Sequence, residues 1–307
     1  MKNLTLYQMI EGYLLFAESR LSPNTIADYT NTFRKFTAFT HGDMNVREID
    51  TQIIEGFLAA QKGLKKKTVL NYHTGLSALW QWATDRQIVD RNIVRMITPP
   101  KAELTEIQPF SEDDVKLILA SINKTKPYFS VGRREVTNTL HFADRSRAMI
   151  LLFLDTGIRV SEFCDLKVKD VDLRNKNILV FGKGSKERTI PISARTGQAI
   201  WRYFSTKPDQ AIFMPAFSTD NDLRLDRANV LKQCIRIGNR AGVQDCHPHR
   251  FRHTFAIQYL RNGGDIYTLQ KILGHSTLDM VKRYLMIAQT DLTAAHRIAS
   301  PVTRWGL

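Results

Sequence analysis

Apolar residues recur at helical spacing through most of this 307-residue chain, and one stretch alone shortens that period to two. The shortened stretch begins at Val168 and contains VKDVDL, NILVFG and RTIPIS, three strand-length segments separated by turn residues. A helical stripe must bury one face against another helix, whereas three short alternating segments can form only a small antiparallel sheet. The fold class that follows is mainly α. An N-terminal helical domain is followed by a C-terminal α+β domain with one small antiparallel sheet.

The first part of the chain is helical throughout residues 5–95. Leu6, Met9, Ile10, Tyr13, Leu14 and Ala17 form one stripe. Ser22-Pro23 is a start signal, an N-cap serine with proline at the first helical position. Ile26, Tyr29, Phe33 and Phe36 follow on one face. Asp50 is placed to cap a third helix carrying Ile53, Ile54, Phe57 and Leu58, and a fourth presents Val69, Tyr72, Leu76, Leu79, Trp80 and Ala83. These stripes belong to a core. Residues 98–109 contain prolines and lack apolar periodicity, which marks a linker between a domain of residues 1–97 and one of residues 110–307. Ser111 with Glu112, Asp113 and Asp114 opens the second domain as a capped helix, and the basic residues 122–137 are assigned to a loop.

Charge gives the first hint of a partner. The chain carries 44 Lys and Arg against 30 Asp and Glu, a net charge of +14 that favours polyanions such as nucleic acid. Most of the excess lies beyond residue 100. No run reaches the ~18 apolar residues of a membrane span. The start, MKNLTLYQMIEGYLLF, lacks the pattern of a signal peptide. Cys164, Cys234 and Cys246 have no metal-ligand spacing and suit reduced thiols in a cytosol.

Several short stretches combine the residue types that phosphate chemistry needs. TGIRVSEFCDL places Arg159 after a glycine turn at a helix start, where its planar fork can meet phosphate oxygens, with Glu162 three residues on to hold its neighbours. GKGSKER sets Lys183 between two glycines at a hairpin tip, suited to a proton donor or phosphate clamp, and Lys186 on the same hairpin is a candidate for DNA contact. A Walker motif needs another spacing and a following helix, so a nucleotide-binding loop is excluded here. HPHRFRH supplies His247, His249 and His253, with His249 and Arg252 three apart on one side of a helix. The arginines among these histidines would repel a cation, so no metal site is expected. His275 follows a Leu-Gly turn, and Tyr284 lies nine residues later, near arginines and a histidine that would help a phenol lose its proton. Lys65, Lys66 and Lys67 stand at the start of the fourth helix, where a bound phosphate would offset their repulsion from the helix dipole. Taken singly, each of these has a structural reading: a surface ion pair, a basic hairpin tip, a solvated turn, a core tyrosine.

In order and spacing, TGxRxSE, GKGxKER, HxxRHxxA and LGH followed by Tyr284 resemble the tyrosine recombinase (integrase) family, and residues 5–95 look like its core-binding (SAM-like) domain. The resemblance implies that Arg159, His249, Arg252 and His275 hold the scissile phosphate. It further implies that Lys183 protonates the departing 5′-hydroxyl and that Tyr284 forms a 3′-phosphotyrosyl link. His249 would aid proton transfer from the nucleophile. Religation would need neither ATP nor metal, so no cofactor is expected. The implied partner is a double-stranded recombination site, gripped on two faces by two domains within a homotetramer, in the cytoplasm or nucleoid of a bacterium or archaeon. The last segment, DLTAAHRIASPVTRWGL, would dock on a neighbouring protomer. No arm-binding domain is expected before Thr5, and the 122–137 stretch looks longer than in compact members. A type IB topoisomerase and a non-catalytic DNA-binding regulator are the rival readings.

Overall fold

The computed structural model describes residues 4–101, 107–123, 128–129, 135–136, 142–182, 187–206, 214–218, 223–275, 277–288, 296 and 300–305. Two compact units are formed, Met1–Thr105 and Glu106–Leu307. Among the described residues no helix is long and apolar enough to cross a membrane.

The first unit consists of α1 (Leu6–Glu18), α2 (Pro23–Thr40), α3 (Thr51–Ala60) and α4 (Lys66–Asp85). Local chemistry sets their starts. Thr5 and Gln8 form a capping box on α1, Ser22 caps α2 with Pro23 at its first position, and the Asp50 carboxylate accepts from the Ile53 N–H at 2.9 Å on α3. The helix α4 has no such cap, because Lys65 occupies the position and makes no capping bond. Phe36, Phe57 and Trp80 meet edge to face at the centre, with Phe36 at 5.1 Å from Phe57 and 5.9 Å from Trp80. Burial of each such ring stabilises the unit by roughly 1.5–3 kcal/mol relative to exposure.

The second unit opens with α5 (Glu112–Ser121), capped reciprocally by Ser111 and Asp114. The 122–137 stretch is not wholly a loop: Tyr128–Phe129 (β1) pairs antiparallel with Glu135–Val136 (β2). Strands of two residues are too short to show a period of two in sequence. The helices α6 (Ala143–Thr156) and α7 (Val160–Asp165) lead into an antiparallel sheet ordered β3 (Val171–Asp172), β4 (Asn177–Phe181), β5 (Glu187–Pro191). VKDVDL supplies less strand than its pattern suggests. Its first residues, Val168–Asp170, form a 3₁₀ turn that the Asp170 carboxylate closes by accepting from the Lys167 N–H at 2.9 Å. The helices α8 (Ala194–Ser205), α9 (Arg227–Ala241), α10 (Pro248–Arg261), α11 (Ile266–Leu273), α12 (Asp279–Ala288) and α13 (Pro301–Trp305) follow.

One apolar cluster in this unit gathers Phe153 of α6, Phe163 of α7 and Phe251 of α10, while a second joins α10, α11 and α12 through Ile257, Leu269 and Tyr284. The helix α10 packs on both α6 and α12. Its polar side chains are thereby carried between the turn that ends α6 and the helix that bears Tyr284.

Candidate phosphate-binding and nucleophile site

Arg159 owes its position to a glycine. The helix α6 ends at Gly157, whose φ of +59° is left-handed. A Cβ there would lie 2.4 Å from the Phe255 ring, so the turn needs glycine on two counts. Arg159 then caps α7 in extended conformation. Its backbone N–H donates to Glu162 Oε2 at 2.8 Å, its Nη1 to Glu162 Oε1 at 2.9 Å, and its Nη2 to the Gly274 carbonyl at 3.1 Å. About a third of the side chain remains exposed, at 34%.

Glu162 is buried and serves a second arginine. Arg188 of β5 donates from Nη1 to Oε1 at 2.9 Å and from Nη2 to Oε2 at 2.8 Å, a bidentate pair, while its Nε donates to the Ile272 carbonyl at 2.7 Å. Burial opposes ionisation of Glu162, but the hydrogen bonds and charges of Arg188 and Arg159 outweigh it and hold the carboxyl below its ordinary range. One carboxylate thus faces two guanidinium groups, and a net positive charge is left over.

Arg252 of α10 adds to that excess. It is buried, donating from Nη1 to the Gly157 carbonyl at 2.5 Å and from Nη2 to the Leu273 carbonyl at 2.9 Å. Nη2 also lies 2.7 Å from His275 Nε2. Its partners are carbonyls, an imidazole and the Tyr284 phenol; among the described residues no carboxylate forms an ion pair with it. Burial, then the charge of Arg159, pulls its pKa down to about 10, which still leaves the group protonated at neutral pH.

The Arg252 contact fixes the tautomer of His275. A guanidinium can only donate, so Nε2 must accept and the ring proton sits on Nδ1. That nitrogen is buried and has no hydrogen-bond partner among the described residues. Burial and then Arg252, Arg159 and Arg188 push His275 down to about 4, which keeps it neutral. His249 keeps an exposed edge, and partial desolvation followed by Arg252 lowers its pKa as well.

Tyr284 of α12 is buried, and its hydroxyl lies 2.8 Å from Nδ1 of His253. Its ring is stacked near that of His275, with centroids 6.4 Å apart. The sequence pattern predicts that nearby arginines and a histidine acidify this phenol. Burial instead raises its pKa and outweighs the opposing pull of Arg252, Arg283 and Arg159.

Five of the residues singled out in sequence, Arg159, His249, Arg252, His275 and Tyr284, therefore gather in the second unit, with Glu162 beneath them. Lys183 and Lys186 lie outside the described residues. Lys65, Lys66 and Lys67 are exposed at the start of α4, in the first unit. Sequence reasoning missed Arg188 and the tie of His253 to Tyr284. Arg188 shares a strand face with buried Ile190, an arginine on an apolar face that could have signalled a buried partner. Nothing in the spacing of His253 points to Tyr284, 31 residues away. Among the described residues no group of three His, Cys, Asp or Glu could hold a metal ion.

Such an arrangement can bind a tetrahedral anion. Guanidinium groups and an unused imidazole N–H would meet its oxygens, and its charge would offset the excess that, after burial, depresses the histidines.

Comparisons with known proteins agree along most of the chain. The model of the phage integrase family matches residues 131–290, and that of the phage integrase SAM-like domain matches residues 5–99. The chain is 28% identical over 302 residues to tyrosine recombinase XerC of Staphylococcus carnosus (strain TM300), covering 94% of this chain and 95% of the relative. It is 29% identical over 310 residues to tyrosine recombinase XerC of Lactobacillus leichmannii, covering 96% and 98%. The crystal structure of XerA recombinase matches 96% of this chain and 98% of its own at 25% identity and a TM-score of 0.51. The Tn1549 transposon integrase in complex with a circular intermediate DNA matches 92% and 95% at 19% identity and a TM-score of 0.74, a likeness of fold.

Proposed function

Because the chain belongs to the phage integrase family and is a tyrosine-type site-specific recombinase, we propose that it cuts and rejoins duplex DNA through a 3′-phosphotyrosyl intermediate on Tyr284. The observation that carries this reading is the unpartnered Nδ1–H of His275 beside two arginines and a tyrosine. A buried donor without an acceptor is costly unless a ligand supplies one.

In this mechanism Arg159 and Arg252 hold the non-bridging oxygens of the scissile phosphate, and His249 and His275 add hydrogen bonds. Tyr284 Oη attacks phosphorus in line with the departing 5′-oxygen, which takes a proton from Lys183. The cations stabilise charge that grows on the equatorial oxygens in the transition state. Glu162 and Arg188 support Arg159 from below. The bond energy stays in the tyrosyl ester, so religation needs neither ATP nor metal.

The same reading extends to assembly. Lys65, Lys66, Lys67 and Lys186 contact the DNA backbone, with residues 1–97 binding the core site and residues 110–307 performing the chemistry. Four protomers act on two duplexes in the cytoplasm or nucleoid, each passing its C-terminal segment to a neighbour. Solved relatives bound to DNA, including XerH on a difH substrate, support this partner class.

The test is a nicked suicide duplex drawn from genomic fragments that the protein retains. Wild-type protein is expected to form a denaturant-resistant adduct, and Tyr284→Phe to bind the duplex within a few-fold of wild type and form none. An adduct that survives Tyr284→Phe would overturn the assignment. An adduct accompanied by relaxation of any plasmid, without exchange between sites, would identify a topoisomerase instead.

A further inference from the structure

The family resemblance gives proton transfer from the nucleophile to His249, but the described histidine bond of the Tyr284 hydroxyl is to His253 instead. Tyr284 must lose a proton as it attacks, and in this structure burial makes that loss harder. Three histidines belong to the site, and hydrogen bonding separates them. His275 cannot take the proton, because its Nε2 lone pair already accepts from Arg252 and its Nδ1 carries hydrogen. His249 makes no described bond to Tyr284, and its ring centroid stands 6.4 Å from that of His253, one helical turn away. Of the three histidines, only His253 has a described nitrogen within hydrogen-bond distance of the hydroxyl, its Nδ1 at 2.8 Å; the Arg252 guanidinium also hydrogen-bonds to Tyr284 but can only donate.

We propose that His253 Nδ1 is the proton acceptor for Tyr284 during strand cleavage and returns that proton during religation. This inference rests on Tyr284 being the nucleophile. With the ring proton on Nε2, Nδ1 accepts the phenolic hydrogen bond. As the Oη–phosphorus bond forms and the phosphorus–O5′ bond breaks, the phenolic proton passes to Nδ1 and His253 becomes an imidazolium. The departing oxygen takes its own proton from the general acid, so the two transfers are separate. In the reverse step the 5′-hydroxyl attacks phosphorus, and the imidazolium returns its proton to the Tyr284 oxygen.

The geometry makes this acceptor responsive to substrate. His253 faces His247, His249 and Arg252 along α10 and Arg283 and Tyr284 on α12. Burial first, and then those histidine and arginine charges, pushes it down to about 4 in the absence of an anion. A phosphate among the same arginines offsets their field and raises the basicity of Nδ1. Proton acceptance is therefore strengthened when DNA is present.

Single-turnover cleavage of the nicked duplex, followed from about pH 5 to 9, tests this. His253→Asn places an amide where Nδ1 lies but offers no basic nitrogen. It is expected to bind DNA as wild type does, to cleave at least ~100-fold more slowly, and to lose the acidic limb of the profile. A wild-type rate would overturn the proposal, and so would a slow variant that keeps the acidic limb. If His253→Asn fails to fold, imidazole added to His253→Ala decides the matter: acceleration supports proton transfer here, and no acceleration overturns it. Tyr284→Phe is run alongside. An adduct from that variant would remove the nucleophile assignment, whereas its absence together with an unperturbed His253→Asn removes only the role of His253.

Discussion

The two units bury different things. In the first, the interior is aromatic and aliphatic, and its buried polar side chains are Thr32, Thr37, Thr40 and His73. Each has a partner: the three threonines donate to carbonyls three or four residues back, and His73 Nε2 meets the Ile97 carbonyl, 24 residues on, at 3.2 Å. Among the described residues of that unit no charged side chain is buried. The second unit buries Glu162, Asp170 and Arg252. Asp170 closes a turn, but Arg252 stands among further arginines and neutral histidines with too little negative charge to balance it. Folding alone gives no reason to bury such a group, since the desolvation cost is several kcal/mol per ion. The difference teaches that uncompensated buried charge marks the place where an external anion completes the structure.

Three substitutions test that contrast. The largest expected effect is on the first unit. Trp80→Ala should reduce stability to urea by about 3–5 kcal/mol, measured by far-ultraviolet circular dichroism, as expected for a void in a fully buried aromatic core. A loss below about 1 kcal/mol would mean that the core is not what holds this unit together. Next comes Arg159→Ala, which should slow adduct formation by a factor equivalent to about 2.7–4 kcal/mol of barrier, on the scale of a lost oxyanion donor. Because part of this side chain is exposed, its effect on unfolding should be the smaller of the two. Unchanged cleavage would remove Arg159 from the site.

The smallest effect is a change in pH dependence. The folded-state pKa of Glu162 is lowered, so the stability it contributes is present above the ordinary carboxylate value near ~4.3 and is lost as pH falls through the folded value. Glu162→Gln should flatten that acidic part of the stability curve. An identical acid slope in wild type and variant would show that the arginine pair is not what holds this carboxylate ionised.

Much of the architecture was legible because it is local. Ser22, Asp50 and Ser111 announce helix starts through side chains that reach only three residues ahead. Gly157 announces a helix end, and the hairpin of β4 and β5 follows from alternation and turn residues. The strand pair within 122–137 is not legible in sequence because two residues carry no period, and VKDVDL reads as strand where Asp170 closes a turn. Arg159, His249, Arg252, His275 and Tyr284 were found by motif, and each motif sits at the start, along the face or beyond the end of a helix whose pattern is itself visible.

The sequence by itself therefore determined the helices, their caps, the excess of positive charge and the residues able to handle phosphate. Tertiary structure decided how those residues meet. It paired Arg188 with Glu162 across 26 residues, Arg252 with the Gly157 carbonyl across 95, and His253 with Tyr284 across 31. It also set the direction in which the Tyr284 hydroxyl is shifted. The physical reason is range: periodicity and capping act within a turn or two, whereas burial and hydrogen bonding between distant segments exist only after α6, α10 and α12 have packed.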